Sequence, residues 1–254
     1  MKVSVALCTC NGEKFIKKQL ESILHQTVEA DEIIIYDDCS TDSTFSVLET
    51  YQNAYPQLIK LYRQEINIGT LRNFENAIKK CTGDIIFLAD QDDIWYPYKV
   101  QVMLDYFDNN AYAMLVFTDG DLIDEAGNTL NKTLWQAWDF NKELQERWMN
   151  NNFAFDDIVR NRNRITGATI AFKAVLKEHI FPFIKHPFFW HDAWVGMYAA
   201  KQQGLFFIQQ PLIQYRVHAK QLVGIRNGIT YTRKKTSVKD FARKVKRRLQ
   251  RFVK

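Results

Sequence analysis

The sequence predicts an α/β domain built on a mixed, mostly parallel sheet with helices on both faces. Three observations carry this. Apolar β-rich runs alternate with helical stripes over residues 1–90, the connections between them are short, and three of the runs end in polar residues.

Val3 to Thr9 is a β-rich apolar run, after which Ile16, Leu20, Ile23 and Leu24 recur at helical spacing. Ile33-Ile34-Ile35-Tyr36 reads as a buried strand. The Ser/Thr/Asp cluster Ser40 to Thr44 then caps a helix carrying Phe45, Leu48 and Tyr51. Ile59 to Tyr62 is a third strand. Leu71, Phe74, Ala77, Ile78 and Cys81 form another stripe stopped by Gly83, and Asp84 to Ala89 is a fourth strand. The resulting βαβαβαβ order implies parallel pairing. Residues 106–225 are expected to complete a mixed sheet, with Ala113 to Thr118 as a strand, Asp124 to Asn128 as a turn and Asp192 to Ala200 as a helix ended by Gly204.

Ligands of open α/β sheets bind beyond the carboxyl ends of the strands. Three strands end there in Thr9 with Asn11 and Glu13, in Asp37-Asp38, and in Asp90-Gln91-Asp92-Asp93. One acid at a strand end is usually a cap or turn residue; three clusters on one rim point to a site. No G-x-G-x-x-G and no G-K-[ST] occurs, so neither a dinucleotide fingerprint nor a Walker loop is present. Adjacent carboxylates suit a hard divalent cation, which takes one or two of them together with phosphate oxygens. The rim therefore reads as a metal-dependent site for a nucleotide diphosphate.

Composition narrows the classes. The chain has 254 residues, 46% of them hydrophobic and 25% charged, which excludes disorder and supports a sizeable core. Its apolar runs are far shorter than the ~18 to 20 residues of a membrane span. Val3 to Leu7 is too short for a secretory core, so a cytoplasmic protein is expected. Cys8, Cys10, Cys39 and Cys81 lack disulfide or zinc spacing and are expected to be buried reduced thiols. The net charge of +5 hides an asymmetry: residues 226–254 hold twelve Lys/Arg and one acid, leaving residues 1–225 at −6. An acidic body argues against a nucleic-acid groove, whereas the tail suits an anionic surface.

The motifs Val3-Ser4-Val5-Ala6-Leu7-Cys8-Thr9-Cys10-Asn11-Gly12-Glu13, Asp37-Asp38-Cys39-Ser40-Thr41-Asp42, Asn67-Ile68-Gly69 with Asn73-Phe74, and Asp90-Gln91-Asp92-Asp93-Ile94-Trp95 resemble the family 2 inverting glycosyltransferases of GT-A fold. The likeness continues through Gly167-Ala168-Thr169, His191-Asp192-Ala193-Trp194 and Tyr215-Arg216-Val217-His218. The D-Q-D-D-I-W and H-D-x-W forms are similar to the rhamnosyltransferase-like branch of bacterial surface-polysaccharide assembly.

This resemblance implies roles. Thr9, Asn11 and Glu13 lie under the nucleotide base and ribose. Asp38 accepts a hydrogen bond from a pyrimidine N3–H, a task for an acceptor-only carboxylate, while Asp37 is structural. Arg72 approaches the base or the phosphates, and Asp90 touches the ribose. Asp92 holds Mg²⁺ or Mn²⁺, and Asp93 is a second ligand or caps the turn before Pro97. His218 ligates the metal or contacts phosphate in a segment that closes over the diphosphate. Asp192 matches the general base; read from the residues alone, it is a helix cap. Among Phe188, Phe189, Trp190, His191, Trp194 and Tyr198, some line an acceptor pocket, although helical spacing favours core roles for Trp194 and Tyr198. Gln221 and Cys10 stand where relatives often carry Asn and Tyr. Residues 1–105 become the nucleotide-sugar half and 106–225 the acceptor half.

In the tail of residues 226–254, Ser237-Val238-Lys239-Asp240 resembles a capping box. Val238, Phe241, Ala242, Val245, Leu249, Phe252 and Val253 then share one helical face opposite Lys and Arg. Such a helix over residues 237–253 lies on an anionic membrane or docks on the body; the resemblance favours the inner face of the cell membrane, where lipid-linked acceptors sit. The expected activity is transfer of a sugar from a UDP- or dTDP-sugar to a hydroxyl of a glycan or lipid-linked oligosaccharide. Two rivals stand beside it. A nucleotidyltransferase of related architecture should carry an early Gly-rich, basic phosphate loop, which is missing here. An inactive nucleotide- or carbohydrate-binding protein would not need Asp38, Asp92 and Asp192 together.

Overall fold

The computed structural model describes residues 1–160, 162–185 and 189–219. The tail helix, Phe188 and Gln221 lie outside them. The strands are β1 (Val3–Thr9), β2 (Glu32–Asp37), β3 (Ile59–Arg63), β4 (Ile85–Asp90), β5 (Ile94–Trp95), β6 (Leu115–Ile123), β7 (Thr129–Thr133), β8 (Ile170–Lys173) and β9 (Leu205–Arg216). The helices are α1 (Ile16–Leu24), α2 (Thr44–Ala54), α3 (Thr70–Lys80), α4 (Lys99–Asn109), α5 (Leu134–Ala137), α6 (Lys142–Trp148), α7 (Asn151–Arg160), α8 (Lys177–Ile180) and α9 (His191–Lys201). Among the described residues no helix is long and apolar enough to cross a membrane.

One sheet runs in the order β3-β2-β1-β4-β8-β6-β9-β5, with β7 paired to β6. β1, β2, β3 and β4 are parallel, β8 is antiparallel to both its neighbours, and β6 runs parallel to β9. All of β1 is buried, as a strand covered on both faces must be, which is why it reads as an unbroken apolar run. Register sorts the polar ends by face. Tyr62, Tyr36, Cys8 and Asp90 form one row, and Arg63, Asp37 and Thr9 form the next, pointing the other way. The first face carries α3, whose Lys80 sits over the Tyr62 ring; the second carries α2, where Arg63 lies over Phe45.

The predicted elements are present, with differences at their ends. The Ser/Thr side chains do not cap α2. Its first N–H groups go instead to carboxylates, Ser43 N–H donating to Glu13 Oε2 (3.0 Å) and Thr44 N–H to Asp42 Oδ1 (2.9 Å). Cys8 and Cys81 are buried, but Cys10 and Cys39 are only half-buried, because β1 and β2 end before them and the chain turns at Asn11 and Cys39 with φ of 51° and 59°. The segment Leu134 to Phe155 folds into α5, α6 and the start of α7. β9 has two sections. Its first part pairs with β6, the register shifts near Pro211, and the second part stays on β6 while Ile213 and Gln214 also pair with β5. That course returns the chain to the Asp90–Asp93 loop.

Candidate active site

The β1 and β2 ends are tied together before any ligand arrives. Thr9 is buried, and its hydroxyl donates to Asp37 Oδ2 at 2.9 Å; Ser40 donates to the same carboxylate through its N–H (2.8 Å) and its hydroxyl (2.5 Å). Asp37 is fully buried, so it pins the loop. Asn11 donates its N–H to Ser40 Oγ and accepts from Thr41 N–H, while Glu13 accepts from Ser43 N–H. Asp38 is buried and accepts from Ile68 N–H (2.7 Å) through one oxygen and from Gly69 N–H (2.8 Å) through the other. Gly69 has φ of +84°, a conformation suited to glycine, and its carbonyl begins α3. A carboxylate has about four lone-pair sites, so Asp38 holds the α3 entry and retains acceptor capacity. Arg72, half-exposed, pairs with Glu75 at 2.6 Å. Glu75 also accepts from Lys79 and from Phe183 N–H, joining α3 to the segment that leads into α9.

The β4 end supplies the acidic centre. Burial, then the charges of Asp92 and Asp192, push the Asp90 carboxyl up to about 7. Burial, then Asp92 and Asp90, push Asp93 well above the usual carboxylate range. Asp93 does not cap the turn before Pro97; its Oδ1 accepts from Arg216 N–H at 3.0 Å, and its buried Oδ2 has no partner among the described residues. His218 Nε2 lies 2.9 Å from Asp92 Oδ2, the two side chains being 9% and 16% exposed. The acids thus meet the histidine that β9 returns to them.

Asp192 lies in the first turn of α9 and acts electrostatically on Asp90, so the two belong to one cluster. Burial pushes its carboxyl up to about 7, against hydrogen bonds from the Ala193 and Gly167 N–H groups. His191 stacks on Phe74 with centroids 4.0 Å apart, and burial pushes its imidazole down to about 3, so the ring is neutral. A side chain at Gly167 would overlap it, since a Cβ there lies 2.5 Å from His191 Nε2. Phe189, Trp194 and Tyr198 are buried in the core, and Trp190 is half-buried.

Two residues essential to this arrangement were not assigned from sequence. Arg216 is buried and donates to the carbonyls of Asp92 (2.8 Å), Asp124 (3.1 Å) and Glu125 (3.0 Å), with its guanidinium over Phe15. Lys99 is buried beneath the acids. The sequence signal for Lys99 was a charged residue amid apolar neighbours, which usually means a solvated face, and Arg216 stood in the Tyr215-Arg216-Val217-His218 motif without a role of its own.

The residues present fit a divalent cation through Asp92 and His218, with the unpartnered Asp93 oxygen close behind. Among the described residues no three His, Cys, Asp or Glu side chains gather as a ligand set. Two protein ligands with phosphate and water completing the shell match the way Mg²⁺ is usually held. The arrangement brings together two carboxyls pushed up to about 7, Asp90 and Asp192, and the Asp92–His218 pair.

Residues 4–174 match the family model described as Glycosyl transferase family 2. The chain is 38% identical over 114 residues to the dTDP-rhamnosyl transferase RfbG of Shigella flexneri, covering 42% of this chain and 39% of that one. Two solved structures share the GT-A fold. S. aureus TarS in complex with UDP-GlcNAc aligns with a TM-score of 0.63 at 19% identity, over 87% of this chain and 60% of that one. The mannosyltransferase PcManGT of Pyrobaculum calidifontis, in complex with GDP-Man and Mn²⁺, aligns with a TM-score of 0.58 at 19% identity, over 83% and 55%. This chain spans less than two thirds of the length of each of these proteins.

Proposed function

The chain belongs to glycosyl transferase family 2, and from that premise we propose that it moves a sugar from a UDP- or dTDP-sugar to a hydroxyl of a glycan or lipid-linked oligosaccharide, with inversion at the anomeric carbon. The observation that carries the reading is the convergence of Asp192, from α9, with Asp90, Asp92 and Asp93, from the β4 end, about a hundred residues earlier in the chain. In this reading residues 1–105 hold the donor and 106–225 the acceptor. Asp38, with Thr9, Asn11 and Glu13 beneath it, receives the base, Arg72 leaves Glu75 to meet the base or the phosphates, and Asp90 meets the ribose. Asp192 takes the proton from the acceptor hydroxyl as that oxygen attacks the anomeric carbon; the bond to phosphate breaks and the nucleoside diphosphate leaves. Asp92 and His218 would hold Mg²⁺ or Mn²⁺, which when bound neutralises charge growing on the diphosphate.

Thermal unfolding against a panel of nucleotide sugars, with and without Mn²⁺, tests the donor side. A ligand at ~100 times its dissociation constant adds about 2.7 kcal/mol, so one nucleotide sugar should raise Tm only with Mn²⁺. Stabilisation by nucleoside triphosphates alone would favour nucleotidyl transfer. The tail belongs to the same reading. Its basic amphipathic sequence supports attachment to an anionic membrane at the cytoplasmic face, near a lipid-linked acceptor. Deleting residues 233–254 should abolish sedimentation with anionic vesicles and spare transfer to a soluble acceptor; vesicle binding that persists would place the membrane surface on the body.

A further inference from the structure

We propose that Lys99 is a positioning residue for Asp192: its buried ammonium fastens the 3-10 turn Gly167–Thr169, against which His191, the residue before Asp192, is packed. The inference rests on the reading of Asp192 as the base. Lys99 opens α4 directly after β5, with no exposed surface. Its Nζ donates to the Ala168 carbonyl at 2.6 Å and lies 3.9 Å from the centre of the Trp95 ring. The residue before Ala168 is Gly167, so close to His191 that a Cβ there would lie 2.5 Å from its Nε2, and His191 directly precedes Asp192. The same turn is closed from behind by Thr169, whose N–H and hydroxyl both donate to the Thr166 carbonyl, at 2.9 Å and 2.7 Å. One peptide segment therefore carries the lysine's bond on Ala168 and the close contact with His191 on the residue before it.

An ammonium removed from water costs several kcal/mol unless charges and hydrogen bonds offset it. Here Asp93 and Asp90 do so from the β4 end, together with the Ala168 carbonyl and the Trp95 face; burial still pulls the amine down to about 7. The lysine thus acts on both halves of the site. The charges of the donor-side acids reach it from the β4 end, and its hydrogen bond grips the turn packed beside the base. Misplacement of a reacting group by ~1 Å can cost about a hundredfold in rate. Nothing in this link touches the donor, so its loss should fall on turnover.

The test compares Lys99→Met, which keeps the stem but removes the charge and N–H, with Lys99→Gln, which keeps an N–H donor. Each is assayed for kcat, for affinity toward a non-transferable nucleotide-sugar analogue, and for Tm. Lys99→Met should lower kcat by about tenfold or more with analogue affinity within about threefold, and Lys99→Gln should recover part of the loss. A smaller fall in kcat, or a parallel fall in analogue affinity, would overturn the proposal; should the Met variant fail to fold, the Gln variant is judged by the same criteria. Asp192→Asn is measured alongside. If it is inactive while Lys99→Met is fully active, only the lysine's role fails, whereas an active Asp192→Asn sinks the base assignment itself.

Discussion

Asp192→Asn is expected to lose about 10²- to 10⁴-fold in kcat, the usual contribution of a general base, while donor affinity changes by less than about threefold. Isotope-labelled turnover and calorimetric titration of the donor check the two halves separately; equal loss of both would mean that Asp192 binds rather than takes a proton. The pH dependence has a defined sign. With its carboxyl pushed up to about 7, Asp192 is protonated in acid, so kcat should rise with pH and level off above about 7. Stability should run the other way. The folded state holds this proton more tightly than the unfolded chain, whose ordinary value is 3.8, so the contribution is fully present below about 4 and is lost as pH rises towards 7. At pH 8 the Asn variant should therefore be more stable than the parent, by about 1–2 kcal/mol after allowance for partial exposure. An inactive variant that melts higher is the expected outcome.

Asp92→Ala should weaken Mn²⁺-dependent donor binding by about tenfold or more, equivalent to about 1.4 kcal/mol, and leave metal-free binding almost unchanged. The reason is local. Asp92 Oδ2 and His218 Nε2 are 2.9 Å apart, so removing one strips the proposed seat of half its protein ligands. Asp93 has one oxygen on the Arg216 N–H and only its Oδ2 open, so it offers a single atom in place of the lost ligand. Donor titrations with and without Mn²⁺ decide this, and an unchanged metal requirement would move the ligand elsewhere in the cluster.

The donor half of the fold was legible because its strands are covered on both faces and its helices on one. A seven-residue buried run such as β1, or the Leu71-Phe74-Ala77-Ile78 stripe of α3, has few other readings. β9 was not legible. Gln209, Gln210 and Pro211 interrupt its apolar pattern at the place where its register with β6 shifts, and β5 is only two residues long. The site divides in the same way. Acids at strand ends mark a rim, but a sequence does not say which of their oxygens are already taken. Asn11, Glu13 and Asp38 all spend side-chain oxygens on backbone N–H groups, so part of what reads as ligand chemistry holds loops together. Arg216 and Lys99 were hidden for a complementary reason. A charge in the chain looks solvated until strands distant in sequence close over it, and that is a property of tertiary packing.

The proposed reaction is a single displacement at the anomeric carbon, with one carboxylate as base and no covalent sugar on the protein. Proton NMR of the product formed from an anomerically pure nucleotide sugar reads this directly, through the one-bond C–H and H1–H2 couplings of the new linkage. The predicted result is an anomeric configuration opposite to that of the donor. Retention of the donor's configuration would contradict the role given to Asp192 and the mechanism built around it.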